Sequence, residues 1–284
     1  MTASCPVSVL IPTRNEIANI RDCITSARFC AEIVVVDSLS TDGTQAAAAS
    51  LGATVVDFHW DRRYPKKKNW ALANVPWRHD WVFILDADER MTPELAAELP
   101  RVLAAPPCDG YYVNRRFQFM GGWIRHCGYY PSWNLRCFKH RLGRYEQPGA
   151  NADTGSGDNE VHEHVRLQGT SGRLQGLLDH HAYPSIAAWV EKHNRYSNWE
   201  AQTELAGLDA AAEDAGARLA RKRRLRRLAR ALPLRPTARF LYHYVVRAGF
   251  LDGYRGYVLC RLMAFYEFLS IAKRREMRDA PPRP

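Results

Sequence analysis

Two aspartates separated by one residue follow a buried apolar run in the first third of the chain. The run Trp81–Leu85 (WVFIL) has the length and composition of a buried strand, and Asp86-Ala87-Asp88 comes directly after it. Two carboxylates at one strand end can bind a single hard cation such as Mg²⁺, which also takes phosphate oxygens as ligands. Such a cation neutralises the charge that grows on a diphosphate leaving group. A solvated turn at the strand end is the alternative for an isolated pair of this kind.

Two further polar segments also follow predicted strands. The segment SVLIPTRNE (8–16) leaves an apolar run at Pro12 and continues into polar residues, where a nucleotide would lie. The run IVVV (33–36) ends at Asp37, whose carboxylate can accept a hydrogen bond from a base N–H. The following SLSTDGT supplies turn residues and a helix N-cap. An ordinary strand-to-helix turn remains the alternative for the first segment.

Short apolar runs alternate with helical patterns over the first hundred residues. They predict strands at 7–11, 33–36, 53–58 and 81–85, and helices at 17–28, 45–51, 66–75 and 93–104. This alternation indicates an α/β fold with a parallel sheet, whose ligand should lie at the carboxyl ends of the strands. Residues 109–180 have a less regular pattern with a glycine-rich loop at 148–160, and residues 185–206 predict a helix.

In their order and spacing these motifs resemble family 2 glycosyltransferases of the GT-A fold, which has a Rossmann-like, mostly parallel central sheet. The resemblance is carried by SVLIPTRNE (8–16), IVVVDSLSTDGT (33–44), KKKNWAL (66–72) and VFILDADE (82–89). It implies that Asp37 contacts the base, usually uracil, and that Lys68 and Asn69 lie near the ribose and diphosphate. It further implies that the metal and the sugar diphosphate are held at Asp86, Ala87 and Asp88. The nucleotide pocket would be lined by Pro12, Thr13, Arg14, Asn15 and Glu16.

The second half is similar to bacterial lipopolysaccharide inner-core β-glucosyltransferases and related cell-envelope enzymes. The shared segments are 121–136, 161–163 (VHE), 179–197 and 249–256. This similarity implies transfer with inversion, which needs a general base that takes the proton of the acceptor hydroxyl. The Glu-Asp pair common in the family is absent from residues 106–206. Glu160 and Asp158 are therefore candidates for the base, and VHE favours Glu163, which joins Asp88 as a predicted catalytic residue.

An arginine and a group of histidines complete the predicted site. Arg136 is a candidate diphosphate contact, because a guanidinium forks onto phosphate oxygens, although a surface arginine is the alternative. His162, His164, His180 and His181 match no common structural zinc spacing. One histidine near the diphosphate or the metal is favoured instead, either His181 or His162, with polar packing residues as the alternative. His181 joins Asp86 and Asp88 as the predicted metal ligands.

The net charge of +10 belongs to the last quarter of the chain. Residues 217–284 hold 18 Lys+Arg and 4 Asp+Glu, against 22 and 26 in residues 1–216. The basic run RLARKRRLRRLAR (218–230) precedes a segment that mixes aromatic, aliphatic and basic residues. This pattern predicts amphipathic helices at an anionic membrane surface, with solvated helices and nucleic-acid binding as the alternatives. Residues 257–272 are too short and too charged to span a bilayer.

Cysteine usage and the N-terminus predict the compartment. The seven cysteines form no C-x-x-C pair, which argues against a disulfide framework and favours the cytosol. The first residues lack the basic and apolar regions of a signal peptide. We expect a cytoplasmic protein, peripheral at the inner face of the cytoplasmic membrane, with no nucleic acid as partner.

The sequence therefore predicts a metal-dependent glycosyltransferase that uses Mg²⁺ or Mn²⁺. It would move a hexose from a UDP-sugar to a cell-envelope glycan or a lipid-linked saccharide. The predicted parts are a GT-A domain (1–206, with halves 1–105 and 106–206), a linker (207–217) and a basic membrane-associating region (218–284). A sugar nucleotidyltransferase is one alternative, against which the lack of a basic glycine-rich loop after the first strand counts. A non-enzymatic nucleic-acid-binding protein that uses the basic tail is the other.

Overall fold

Eleven strands and seven α-helices occur in the residues that the computed structural model describes, 4–147, 158, 164–205 and 234–279. The strands are β1 (Cys5–Thr13), β2 (Cys30–Asp37), β3 (Thr54–Asp57), β4 (Trp81–Ile84), β5 (Glu89–Met91), β6 (Gly110–Phe119), β7 (Gly122–Trp123), β8 (Trp133–Lys139), β9 (Gly143–Tyr145), β10 (Val165–Leu167) and β11 (Ser171–His180). The helices are α1 (Ile20–Ser26), α2 (Thr44–Ser50), α3 (Lys67–Asn74), α4 (Pro93–Ala104), α5 (Ile186–Leu205), α6 (Arg235–Leu241) and α7 (Gly253–Asp279). A π-helical turn (Tyr242–Val246) and a 3₁₀ turn (Gly249–Asp252) separate α6 from α7.

The central sheet has the strand order β3-β2-β1-β4-β8-β6-β11-β5. The first four strands in this order are parallel to one another, as are β6 and β11, whereas β8 and β5 run antiparallel to their neighbours. Parallel strands bring their carboxyl ends to one edge, so Thr13, Asp37 and the segment after Ile84 meet there. The predicted α/β fold of the GT-A type, with a mostly parallel sheet and C-terminal helices, is confirmed.

Alternating side chains of the parallel strands build two apolar layers. Val9 and Phe83 point to the face covered by α1, α2 and α4, while Leu10 and Ile84 point to the face covered by α3 and β9. All four of these side chains are fully buried. Burial on both faces explains why these strands read as continuous apolar runs in the sequence. The sheet is therefore a rigid platform for the polar groups at its carboxyl edge.

The predicted elements of the first 105 residues all occur, with shifts at their ends. The helix predicted at 93–104 has those bounds, since Thr92 caps it by accepting a hydrogen bond from the Leu95 N–H and Pro93 occupies its first position. The helix predicted at 185–206 is α5. Residues 109–180, for which the sequence pattern is irregular, instead hold the long strands β6, β8 and β11. Their charged residues interrupt the alternation of apolar and polar side chains by which a strand is predicted. Several of these charges form ion pairs within the fold.

The described chain divides into two compact units, residues 1–118 with 131–182 and residues 119–130 with 183–284. The second unit contains α5, whereas the sequence-based division kept residues 1–206 together. The reason is that α5 packs on α7: the His193 ring of α5 meets the Tyr266 ring of α7 edge-on at 5.1 Å, and Ser270 of α7 donates a hydrogen bond to Glu200 of α5 at 2.9 Å. The predicted linker (207–217) and the basic run (218–230) lie outside the described residues.

Membrane-spanning helices and disulfides are both absent from the part of the chain that the structure describes. In ranges 4–147, 164–205 and 234–279 no helix combines the length and apolarity that crossing a bilayer requires. All seven cysteines lie within the described part, and each is a free thiol.

Candidate active site

The carboxyl ends of β1 and β2 meet at a buried aspartate. Thr13 and Asp37 are paired in the register of the two strands, and Asp37 has no exposed surface. Asp37 Oδ1 accepts hydrogen bonds from the Ser40 backbone N–H at 2.7 Å and from Gln45 Nε2 at 2.8 Å. Its Oδ2 accepts from Thr13 Oγ1 at 2.7 Å and Ser40 Oγ at 2.6 Å. Every acceptor direction of this carboxylate is therefore in use.

These hydrogen bonds determine the charge state of Asp37. Burial alone would raise the pKa of the carboxyl, but the bonds from Ser40, Thr13 and Gln45 favour the ionised form and outweigh it. The pKa of Asp37 is lowered as a result. The site therefore presents a fixed negative charge beside two hydroxyl groups, and hydroxyls can rotate to release an acceptor position.

The loop after Pro12 is tied to the loop after Asp37. Asn15 has a left-handed backbone (φ 56°), its N–H donates to Ser40 Oγ at 2.7 Å, and its side-chain oxygen accepts from the Thr41 N–H at 2.9 Å. The Glu16 N–H donates to Thr44 Oγ1 at 2.8 Å. Residues 12–16 thus border the edge at which Asp37 lies, and Arg14 is exposed at the tip of this loop.

Directly after β4, Asp86 lies between two cations. Lys68 Nζ of α3 lies 2.9 Å from Asp86 Oδ1, and Arg136 Nη2 of β8 donates to Asp86 Oδ2 at 2.7 Å. The same Arg136 nitrogen donates to Glu89 Oε1 at 2.5 Å, and Arg115 Nη1 lies 3.6 Å from that oxygen. Three cations therefore surround two carboxylates at this point of the edge.

Burial makes this ion-pair cluster strong. Glu89 is fully buried, and Lys68 and Arg136 are each only 4% exposed. Burial alone would raise the pKa of Asp86, but the Arg136 and Lys68 charges hold it well below its usual range. Asp86 is therefore ionised across the physiological pH range, with its orientation fixed from both sides.

A β-bulge directs Arg136 into the cluster. Tyr111 pairs with Cys137 and Tyr112 pairs with Leu135, so Arg136 is the extra residue on β8. Leu135 and Phe138 consequently face the same apolar layer although three positions separate them. A regular strand would pair Arg136 with Tyr112 instead. The bulge therefore changes the direction in which the Arg136 side chain leaves the strand.

Asp88 lies in the turn beyond Asp86, next to two histidines at the end of β11. Its Oδ2 is 3.5 Å from His180 Nε2, and its carbonyl accepts the His181 backbone N–H at 2.8 Å. Burial and the nearby Arg90 charge lower the pKa of His181. His181 therefore carries a neutral imidazole at neutral pH, which is the form that binds a metal.

The fit of these residues to a divalent metal depends on the substrate. Among the described residues no three Asp, Glu, His or Cys side chains are grouped as a preformed metal cage. Mg²⁺ is commonly held by one or two carboxylates together with substrate phosphates, and the Asp86–Asp88 pair supplies such oxygens. Asp86 is engaged by Lys68 and Arg136, whereas Asp88 has the His180 ring at 3.5 Å and the His181 backbone N–H at its carbonyl. The donor set therefore fits a cation shared with a bound diphosphate.

Two other residues of α3 and one of the glycine-rich loop are engaged near Asp37. Lys67 Nζ donates to the Thr13 carbonyl at 2.6 Å and lies 3.2 Å from Asp158 Oδ2. Ser38 Oγ donates to the same Asp158 oxygen. Asn69 exchanges two hydrogen bonds with the Tyr145 backbone, its Nδ2 donating at 2.9 Å and its Oδ1 accepting at 2.8 Å. Asn69 thus fixes β9 to α3.

The structure brings most of the predicted site residues together and leaves some outside. Pro12, Thr13, Asp37, Lys68, Asp86, Ala87 and Asp88 share the carboxyl edge, whereas Arg136 reaches it from a neighbouring strand through the bulge. Glu163, Glu160 and His162 lie outside the described residues. Sequence reasoning missed Glu89, Arg115 and Lys67. Glu89 stands inside the quoted VFILDADE motif, but nothing local reveals its partner Arg136.

The fold is of the GT-A type, and its carboxyl edge carries an acidic pair after β4. The family model described as "Glycosyl transferase family 2" matches residues 8–157, more than half of the chain. The lipopolysaccharide core biosynthesis glycosyltransferase LpsC of Rhizobium meliloti is 30% identical over 288 residues, covering 96% of this chain and 93% of that protein. The chain therefore belongs to glycosyl transferase family 2, and the resemblance inferred from its motifs is confirmed.

Other similar proteins are more distant. An uncharacterized glycosyltransferase of Rickettsia typhi is 28% identical over 274 residues, covering 95% of this chain and 87% of that protein. The mannosyltransferase PcManGT of Pyrobaculum calidifontis, solved with GDP-Man and Mn²⁺, is 18% identical with a TM-score of 0.49, covering 98% of this chain and 89% of that one. Glucosyl-3-phosphoglycerate synthase of Mycobacterium tuberculosis, solved with Mn²⁺ and UDP-glucose, is 26% identical with a TM-score of 0.32, covering 39% and 43%. The family assignment rests on the family model and LpsC, and it makes the chain a glycosyltransferase rather than a sugar nucleotidyltransferase.

Proposed function

We propose that this glycosyltransferase moves a hexose, such as glucose, from a UDP-sugar to a cell-envelope glycan or a lipid-linked saccharide, with inversion to a β-linkage. The proposal rests on one observation: Asp37 and the Asp86 cluster lie along the same edge of the sheet. The first group suits a base and the second a diphosphate. The printed role of LpsC in lipopolysaccharide core biosynthesis supports an envelope acceptor.

Asp37 is proposed to read the base. A uracil N3–H can take the position of a hydroxyl donor if Ser40 Oγ or Thr13 Oγ1 turns away, because hydroxyl hydrogens rotate freely. The backbone bond from Ser40 and the amide bond from Gln45 would then keep the carboxylate in place. A base without an N–H at this position would bind more weakly, because the buried Asp37 carboxylate would then lack one hydrogen-bond donor.

The Asp86 cluster is proposed to receive the diphosphate. Lys68 and Arg136 balance Asp86 and Glu89, and Arg115 adds a further positive charge. Asp88 and His181 would hold a divalent cation, Mg²⁺ or Mn²⁺. When bound, this cation supplies a positive charge that stabilises the departing nucleoside diphosphate. Lys68 stabilises the same developing charge, because its ammonium already faces a negative oxygen at 2.9 Å.

A carboxylate on the acceptor side is proposed to act as the general base. It takes the proton from the acceptor hydroxyl while that oxygen attacks the anomeric carbon and the bond to the diphosphate breaks, which inverts the configuration. We keep Glu163 in this role. Asp158 is less suited, because Lys67 and Ser38 already occupy its carboxylate beside Asp37.

We further propose that the enzyme works at the cytoplasmic face of an anionic membrane, where lipid-linked acceptors are found. The support is the +14 net charge of residues 217–284, which attracts an anionic lipid surface.

Base recognition can be tested with a matched pair of aspartates. Asp37→Asn should weaken UDP binding about tenfold or more, measured by titration calorimetry with Mn²⁺ present. Asp57→Asn is the control: Asp57 ends the neighbouring strand β3, shares Gln45 with Asp37 and is exposed. It should leave UDP binding within about twofold. The parent should bind UDP more tightly than CDP, because cytosine has no N3–H, and equal binding of the two would contradict the assignment.

A further inference from the structure

The second unit carries a cluster of exposed apolar side chains where the chain turns from α6 into α7. Seven of them, all between 49% and 73% exposed, fall within fourteen consecutive residues. Tyr242 is one of the seven, and we call the other six the apolar patch: Leu241, Val245, Val246, Phe250, Leu251 and Tyr254. Single exposed apolar residues are ordinary on protein surfaces, but a dense cluster marks an interaction site.

The backbone under the apolar patch is tightly packed, so the exposure does not come from a loose segment. The Arg247 N–H donates to the Tyr242 carbonyl at 2.8 Å, and the Leu251 N–H donates to the Ala248 carbonyl at 2.9 Å. A Cβ at Gly249 would lie 2.8 Å from the sulfurs of Cys127 and Cys260, and one at Gly256 would lie 2.0 Å from the Gly249 carbonyl oxygen. Both positions therefore need glycine, and the turn is a fixed corner of the unit.

Aromatic rings join the parts of this corner. The Tyr244 ring contacts Phe250 at 6.2 Å and Tyr257 at 5.9 Å, and Tyr257 stacks on Tyr254 at 6.5 Å. These contacts hold the π-helical turn, the 3₁₀ turn and the start of α7 against one another. Phe250 and Tyr254 of the apolar patch are thus held in place by the rings of this corner.

The charges around the apolar patch are basic. Arg247 lies within its segment, Arg255 and Arg261 follow it along the chain, and all three are exposed. The two acidic residues of this region, Asp252 and Glu267, are both engaged within the unit. Asp252 accepts a hydrogen bond from the His126 N–H at 2.8 Å, and Glu267 forms ion pairs with Arg235 and Arg239. The surface that remains is apolar and positively charged. The basic run 218–230 lies a few residues upstream in the sequence.

We propose that the apolar patch inserts into the interfacial layer of an anionic lipid bilayer, while Arg247, Arg255 and Arg261 bind the headgroups. Apolar and aromatic side chains with flanking Arg are the pattern of proteins that lie in the membrane interface. A second copy of this chain is disfavoured as occupant, because two surfaces with net positive charge repel each other. The inference deepens the proposed membrane location by naming the surface responsible, and it does not depend on the donor or the acceptor.

Vesicle sedimentation of the full-length chain tests the proposal without any nucleotide-sugar. The variant Val246→Ser/Leu251→Ser removes two side chains of the apolar patch. The control Ile186→Ser/Val190→Ser removes two exposed apolar side chains of α5, outside the patch. On vesicles of phosphatidylcholine and phosphatidylglycerol, the patch variant should bind about tenfold or more weakly than the parent, and the control should bind as the parent does.

The salt dependence of vesicle binding distinguishes insertion of the apolar patch from electrostatic attraction to the headgroups. Part of the parent's binding should survive in high salt, because burial of apolar groups is not screened, and the patch variant should lose this part. Glycosyl transfer to a soluble acceptor should be unchanged in both variants, so a failure of the donor assignment remains distinguishable. Equal vesicle binding by patch variant and parent would overturn the proposal. It would also be overturned by parent binding that salt removes entirely, or by a lipid-free parent dimer that the patch variant converts to monomer.

Discussion

Removal of the Arg136 side chain should leave two buried carboxylates short of positive charge. Its Nη2 atom bonds Asp86 and Glu89 at once, and all three side chains are at least half enclosed by protein. Loss of one partner from a buried ion pair costs roughly 3–5 kcal/mol. Lys68 stays at 2.9 Å from Asp86 and Arg115 at 3.6 Å from Glu89, so Arg136→Ala should fall at the lower end, about 3 kcal/mol. In a unit of this size that corresponds to a drop in Tm of roughly 6–12 °C.

The control for Arg136→Ala is on the same strand. Lys139 pairs with Asp109 at 2.8 Å, but their side chains are 40% and 27% exposed. Exposed pairs contribute little to stability, so Lys139→Ala should change the free energy of unfolding far less than Arg136→Ala does. Thermal and urea unfolding of the two variants and the parent, followed by circular dichroism, measure the difference. Equal stability of Arg136→Ala and Lys139→Ala would refute the idea that Arg136 compensates buried charge.

Acidification should reduce the difference in the free energy of unfolding between Arg136→Ala and the parent. In the parent the pKa of Asp86 is lowered, so its ion pairs stabilise the fold above about pH 4 and are lost as the pH falls through the lower folded value. In the variant one of the two cations is gone and the pKa of Asp86 rises, so protonation relieves the buried charge. The stability deficit should therefore be largest at neutral pH and smaller near about pH 4. A deficit that is independent of pH would mean that lost packing, not charge, causes it.

Three other substitutions probe separate parts of the molecule. Lys68→Met should raise the KM for the nucleotide-sugar about tenfold or more, since it removes an ammonium proposed to meet the diphosphate; an unchanged KM in steady-state kinetics would contradict that role. His193 is buried, with its pKa lowered to about 4, mainly by desolvation, so the parent should lose roughly 3 kcal/mol of stability between about pH 6.5 and pH 4. His193→Gln should flatten that loss in urea unfolding, and parallel pH profiles would exclude His193 as its source. His181→Ala should raise the Mn²⁺ concentration for half-maximal nucleotide release, whereas His140→Ala should not, and equal values would remove His181 from the metal site.

The parallel half of the sheet could be predicted because its signals are local. Buried strands read as apolar runs, the turn residue Gly43 marks the start of α2, and Thr92-Pro93 marks the start of α4. The polar residues that follow the runs must then lie at one edge, because the strands are parallel. These local signals are sufficient to place Asp37 and Asp86 at the same edge of the sheet.

The other half of the sheet, formed by β8, β6, β11 and β5, could not be predicted because its signals are distant in sequence. β6 and β11 carry charges that look solvent-exposed locally, yet Arg116 donates to Asp179 at 2.7 Å, a residue 63 positions away. The Arg136 bulge likewise has meaning only once Glu89 and Asp86 are placed opposite it. Such strands are stabilised by partners that no window of neighbouring residues contains. For the same reason, the sequence pattern alone assigns no role to Glu89.

The central claim is that Asp88 and a divalent cation organise the donor for transfer. Nucleotide release from UDP-, GDP- and dTDP-sugars should be compared with Mn²⁺, Mg²⁺ or EDTA, for the parent, Asp88→Asn and Asp22→Asn. Asp22 is a suitable control because its side chain is 79% exposed and pairs only distantly, at 3.7 Å, with Arg90. We expect metal-dependent release from a UDP-sugar that Asp88→Asn loses and Asp22→Asn retains. Release that survives EDTA, or that Asp88→Asn supports at the parent's rate, would contradict this claim.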